Sequence, residues 1–190
     1  MKNNTSEELA LPQFEFIAGS LSLDFVDTLG GRGQGESIER LCDVQALNDW
    51  FRQAGLGTDF QEMDLNIARM LREAIHDICV AVLERREIHS FDLNILNSVV
   101  KQPPVRRGLS ADLRQVLPDN THFSAALSTI AEDAIAILGG PLRERVKVCP
   151  GCQMVFVDKS RPGKRRWCSS AAGCGNKAKM QARKQRANKS

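Results

Sequence analysis

The run Val148-Cys149-Pro150-Gly151-Cys152, with fifteen residues to Cys168 and five more to Cys174, decides how the end of this 190-residue chain folds. Tetrahedral zinc takes four soft ligands about 2.3 Å from the metal, and a C-x2-C knuckle supplies two of them from one tight turn. Pro150-Gly151 suits that turn. Val155-Phe156-Val157 reads as β and is expected to return through Ser160-Arg161-Pro162-Gly163 toward Trp167-Cys168, a small hairpin closing over the metal. Cys174 falls where a final helix, residues 175–188, begins, so its thiolate faces the positive end of the helix dipole. The segment is too small and too charged to bury a core of its own, and metal binding worth roughly 10–16 kcal/mol exceeds the deficit. Cys149, Cys152, Cys168 and Cys174 are therefore expected to hold one structural Zn2+; four thiolates leave no open position for a catalytic water.

Charge divides the chain at the same place. Residues 1–140 carry 12 Lys/Arg against 21 Asp/Glu, a net of −9, whereas residues 141–190 carry 14 against 2, a net of +12. A basic segment on an acidic body points to a polyanion or an acidic surface as partner. Thirteen of the C-terminal cations lie around or after the metal site, from Arg145 and Lys147 through Lys164-Arg165-Arg166 to Lys189. Four thiolates and Zn2+ add about −2, so the module stays cationic. The final helix has only Ala178, Met180, Ala182 and Ala187 as apolar residues, too few for a conventional buried face. Lys164, Arg165, Arg166, Asn176, Lys177, Lys179, Arg183, Lys184 and Arg186 are the candidate nucleic-acid contacts, and Asn176, Gln181, Arg183 and Asn188 can reach base edges if the helix enters a major groove. Trp167 reads first as the module's miniature core and second as a stacking platform.

The remainder reads as mainly α. Residues 1–12 are expected to be a polar, disordered tail. Residues 14–29 suggest an extended lead-in and a short helix; Asp43 can cap a helix that stops at Gly55. Ile67, Met70, Leu71, Ala74, Ile75, Ile78, Cys79 and Val82 recur at three- and four-residue steps, which predicts the longest helix over 62–86, with Thr58 and Gln61 as a capping box. Ser90 is the expected cap of a helix ended by Pro103-Pro104, residues 105–117 form a short hairpin or loop, and a last helix spans 121–138. Gly139-Gly140-Pro141 breaks the chain where its charge changes sign. The expected organisation is an acidic helical regulatory domain over 13–140 and a basic, treble-clef-like zinc finger over 141–190. Cys42 and Cys79 read as core thiols.

The same residues carry a resemblance. Val148-Cys149-Pro150-Gly151-Cys152, Val155-Phe156-Val157-Asp158, Arg165-Arg166-Trp167-Cys168-Ser169 and Cys174-Gly175-Asn176-Lys177-Ala178-Lys179 resemble the CGNR zinc finger family of bacterial proteins. Ala18-Gly19-Ser20-Leu21-Ser22-Leu23-Asp24-Phe25-Val26-Asp27-Thr28-Leu29 is similar to the opening of the ABATE domain that accompanies this finger. The resemblance implies a helical regulatory domain followed by a zinc finger, in a family described as stress-induced transcription regulators. The chain departs from the pattern at Lys177, where the family has Arg, at the five-residue Cys168–Cys174 spacing, where four is usual, and at Asp27, where Asn is common. Lysine keeps the charge at 177 but loses the bidentate fork.

DNA is the expected partner, with RNA or an acidic protein surface as alternatives and a homodimer or a stress signal open to the helical domain. Catalysis is not expected: Asp24 and Asp27 lie three apart, but no nucleophile motif surrounds His76, His89 or His122, and Gly30-Gly31-Arg32-Gly33 fits no phosphate-loop pattern. The longest apolar run, Ile78–Leu83, is far below the roughly 20 residues a membrane helix needs, and the N-terminus lacks a secretory apolar segment, so a cytoplasmic location is the default expectation.

Overall fold

The computed structural model describes residues 14–33, 35–118 and 121–187. The tail expected at 1–12 lies outside the described residues. In chain order the elements are α1 (Leu21–Val26), β1 (Leu29–Gly30), β2 (Ile38–Glu39), α2 (Val44–Gln53), α3 (Glu62–Glu84), α4 (Ser90–Val99), β3 (Gly108–Leu109), β4 (Gln115–Val116), α5 (Phe123–Leu138), a 3-10 turn (Pro141–Arg145), β5 (Val146–Val148), β6 (Val155–Val157) and α6 (Cys174–Ala187). The fold is mainly α, and the strands form three antiparallel pairs, each of two or three residues.

Local chemistry starts each helix. Asp43 accepts the Ala46 N–H at 2.8 Å and caps α2. At α3 the capping partner is one turn later than the sequence suggests: the Gln61 N–H donates to Asp64 at 2.7 Å, while the Thr58 hydroxyl turns to Asp59. Ser90 is the first residue of α4 and not its cap, which falls at His89. α3 lies at the centre, against α1, α4 and α5. Beside it Phe25, Trp50, Phe51, Phe60 and Phe123 form an aromatic cluster, with ring centroids 4.9 Å apart for Phe25–Trp50 and 5.0 Å for Phe51–Phe60.

The buried face of α3 is rotated from the expected one. Leu65, Ala68, Leu71, Ala74, Ile75 and Ile78 are buried, but Ile67 and Met70 stand 41% and 46% exposed. Their place is taken by Arg72, a charge that apolar patterning excludes. Arg72 is tolerated because its guanidinium donates bidentately to Glu39 at 2.6 and 2.7 Å and to Glu73 at 2.7 Å. Cys79 is buried, whereas Cys42 is exposed and no part of the core.

The Gly139-Gly140-Pro141 break does not separate two cores. Val146, Met154, Val155, Phe156 and Val157 belong to the same apolar cluster as α1, α3 and α5. The Val157 N–H donates to the Ala18 carbonyl at 2.8 Å, which joins β6 to the lead-in of α1. Gly19 makes this approach possible: its φ is +90° and a Cβ there would stand 2.8 Å from the Val157 carbonyl oxygen.

Candidate metal centre and basic finger

β5 and β6 pair antiparallel, Val146 opposite Val157, Lys147 opposite Phe156 and Val148 opposite Val155. This corrects the expected hairpin: β6 returns to the strand before the knuckle, not to Trp167-Cys168. The connection between the two strands is the knuckle itself, so hairpin pairing forces Cys149 and Cys152 into one turn. That turn is closed by the Gln153 N–H to the Cys149 carbonyl at 2.8 Å and by the Cys149 N–H to the Met154 carbonyl at 2.9 Å. Cys168 comes from the irregular stretch after the hairpin, and Cys174 opens α6.

All four Sγ atoms lie within 4.8 Å of one another. Ligands 2.3 Å from a tetrahedral centre stand about 3.8 Å apart, and Cys152–Cys168 and Cys168–Cys174 measure 3.6 and 3.9 Å. The donor set therefore fits a metal that prefers four soft ligands. Three of the cysteines are buried and Cys152 is partly exposed. Burial pushes the Cys152 thiol up to about 12 and that of Cys168 higher still with the help of its neighbour. At Cys149 the N–H groups of Cys168, Cys152 and Gly151 overcome burial and bring the thiol down to about 7.

The finger consumes two of its cations internally. Asp158, fully buried, is held well below the usual carboxylate range by the Lys147 ammonium at 2.8 Å and accepts the N–H groups of Ser160 at 3.0 Å and Arg165 at 2.7 Å. Lys147 also donates to the Gly163 and Arg165 carbonyls at 2.8 and 2.9 Å, and Arg145 donates to the Ser160 carbonyl at 2.7 Å. Arg145 and Lys147 thus staple the loop 158–165 and do not form outer basic surface. Charge counting missed this lock; its one signal was Asp158, one of only two acids after residue 140.

The candidate contacts separate into three environments. Lys164 and Arg166 are exposed, with the Arg166 guanidinium 5.4 Å from the Trp167 ring centroid. Arg165 is half-buried over Phe156 at 4.7 Å, with Nε and Nη2 buried and unpartnered, so it packs the finger from within. Asn176, Lys177, Lys179, Arg183, Lys184 and Arg186 are exposed along α6, of which only Cys174 is buried. Asn188 lies outside the described residues. Trp167 packs across the knuckle and the start of α6: a Cβ on Gly175 would stand 3.0 Å from its ring, and one on Gly151 3.3 Å. It is the miniature core of the finger.

The family model for ABATE, described as "Putative stress-induced transcription regulator", matches residues 19–141. The chain belongs to the ABATE family. A CGNR zinc finger model matches residues 145–187 of the same chain. No curated protein matches it. In this ABATE protein the residues matched by the first model pack against β5 and β6 of the second, so the four-cysteine cluster is set into the side of the helical body. Among the described residues no helix is long and apolar enough to cross a membrane.

Proposed function

We propose that this protein is a transcription regulator whose C-terminal finger holds one structural Zn2+ and contacts DNA through α6 and the 159–166 loop. One observation carries the reading: the finger's cations lack acids of their own. Asp158 is taken by Lys147 and Glu144 pairs with Arg143, while the side chains of Lys164, Lys177, Lys179, Arg183 and Lys184 make no hydrogen bond or ion pair among the described residues. α6 is about 20 Å long and projects from the body with every residue past Ala178 exposed. Helical spacing sets Asn176, Lys179, Arg183 and Arg186 along one stripe and Lys177 and Lys184 beside it. Such a rod suits the phosphate rows that flank a DNA groove. Four thiolates would suit the metal to scaffolding and not to chemistry, and the acidic helical body is the regulatory part.

The test is binding of the zinc-loaded chain to random-sequence duplex DNA across a salt series. With six to ten phosphate contacts, affinity falls about 10³–10⁵-fold between roughly 50 and 200 mM salt. Replacing Lys177, Arg183 and Lys184 together with Ala flattens that slope by about three contacts. A slope unchanged by the triple variant, or no binding at low salt, rejects the reading.

A further inference from the structure

Beside Trp167, at the start of α6, a cavity of about 390 Å³ opens to solvent, lined by Arg165, Trp167, Ser169, Ser170, Gly173, Gly175, Asn176 and Lys179. It is large for a bare oxyanion and lies near the lower end of the about 300–1,000 Å³ that small-molecule sites span. No acidic side chain lines it. Four of its polar groups are uncommitted: the Ser169 hydroxyl accepts the Ala171 N–H, but among the described residues the Ser170 hydroxyl, the Asn176 amide, the Lys179 ammonium and the indole N–H of Trp167 have no hydrogen-bond partner. Two glycines form part of the wall, and a Cβ on the one at 175 would stand 3.0 Å from the Trp167 ring, which would have to give way.

We propose that this cavity seats one unpaired nucleotide of a nucleic-acid strand, its phosphate against Ser170, Asn176 and Lys179 and its sugar and base against Trp167 and the glycine wall. Donors of one sign of charge gathered around a small space select a phosphate. The remaining volume selects the organic part of the nucleotide over a free oxyanion. A nucleotide inside a base-paired stack cannot enter a concavity of this size, so the seat favours single strands, strand ends or an extruded nucleotide, for which unstacking costs a few kcal/mol. Asn176 and Lys179 belong at once to the cavity wall and to the α6 stripe that continues through Arg183 and Arg186, so a strand seated here runs onto the helix. The proposal rests on the reading of the finger as a nucleic-acid-binding module and names what one part of it takes.

The chain has two tryptophans, and Trp50 is fully buried, so its indole signal is an internal control in a 1H–15N spectrum. The zinc-loaded full chain is titrated with thymidine 5′-monophosphate, thymidine, inorganic phosphate, a single-stranded oligothymidylate and a hairpin duplex. The mononucleotide and the single strand move the Trp167 indole signal and leave Trp50 still, while thymidine and phosphate bind at least about tenfold more weakly. Ser170→Glu places a like charge in the seat and weakens both ligands at least about tenfold; Asn176→Ala, measured beside it with zinc content as a fold control, weakens both in the same direction. If the oligonucleotide binds in a salt-sensitive way while the Trp167 signal stays fixed and both variants bind as the parent does, the seat is overturned and the DNA reading stands. If the mononucleotide moves Trp167 but no polynucleotide binds, a strand is rejected as occupant together with the DNA reading. If nothing binds, both fall.

Discussion

Asp27 shows how a single residue departs from what its type suggests. Burial pushes its carboxyl up to about 7, against the pull of Arg40. An acid that binds its proton more tightly when folded than when unfolded stabilises fully below its unfolded pKa of about 4, and that contribution is lost as pH rises to about 7. Asp27→Asn keeps the neutral shape at all pH values. The variant is therefore expected to be more stable than the parent at pH 8 by about 1–3 kcal/mol, after allowance for partial solvent screening, and equal to it near pH 4. Denaturant melts of both proteins at the two pH values check the sign. Asp158 behaves oppositely: Lys147 and two N–H groups hold it ionised, so Asp158→Asn leaves a half-buried ammonium without its counter-ion. The expected outcome is a lower Tm and faster hydrogen exchange at the Ser160 and Arg165 amides; unchanged exchange there removes the lock from the account.

At the scale of elements, the helices followed from spacing because their signals are local. The Asp43 cap and the end of α5 at Leu138 depend on residues within a few positions of one another, and the structure keeps them; α5 itself starts at Phe123, two residues after the expected start. At α3 the sequence misled because a distant partner, Glu39, intervened. Ile67 and Met70 turned outward because Arg72, neutralised by Glu39 and Glu73, claimed part of the inner face of α3. β6 paired with β5 because closing Val146–Val148 onto Val155–Val157 spans only the knuckle, a shorter and cheaper loop than one reaching Trp167. The contact between β6 and the lead-in to α1 supplies a test. Gly19→Ala puts a side chain at φ +90° and against the Val157 carbonyl, so it costs at least about 1 kcal/mol and loosens the Val157 amide first. Hydrogen exchange resolved at Val157 checks this; protection equal to the parent's contradicts it.

For the molecule as a whole, the net charge of +3 is the sum of an acidic body and a basic finger that share one apolar cluster. That sharing makes the metal a concern of both. Chelation of the zinc-loaded protein is expected to lower the melting temperature of the entire chain, not only of residues after 145, because β6 lines the common core; two separate transitions with the first melting unaffected by chelator contradict this. Among the described residues α6 is exposed at every position from Lys179 to Ala187. The sequence by itself determined the helical class, the four-cysteine cluster and the charge division, since each is written in local spacing and composition. Only the tertiary structure decided which cations remain outward, that Arg145, Lys147 and Arg165 turn inward to hold the finger together, and that finger and body form one core. Those outcomes depend on which distant groups reach a buried carboxylate, ring or carbonyl first, and no spacing along the chain encodes that.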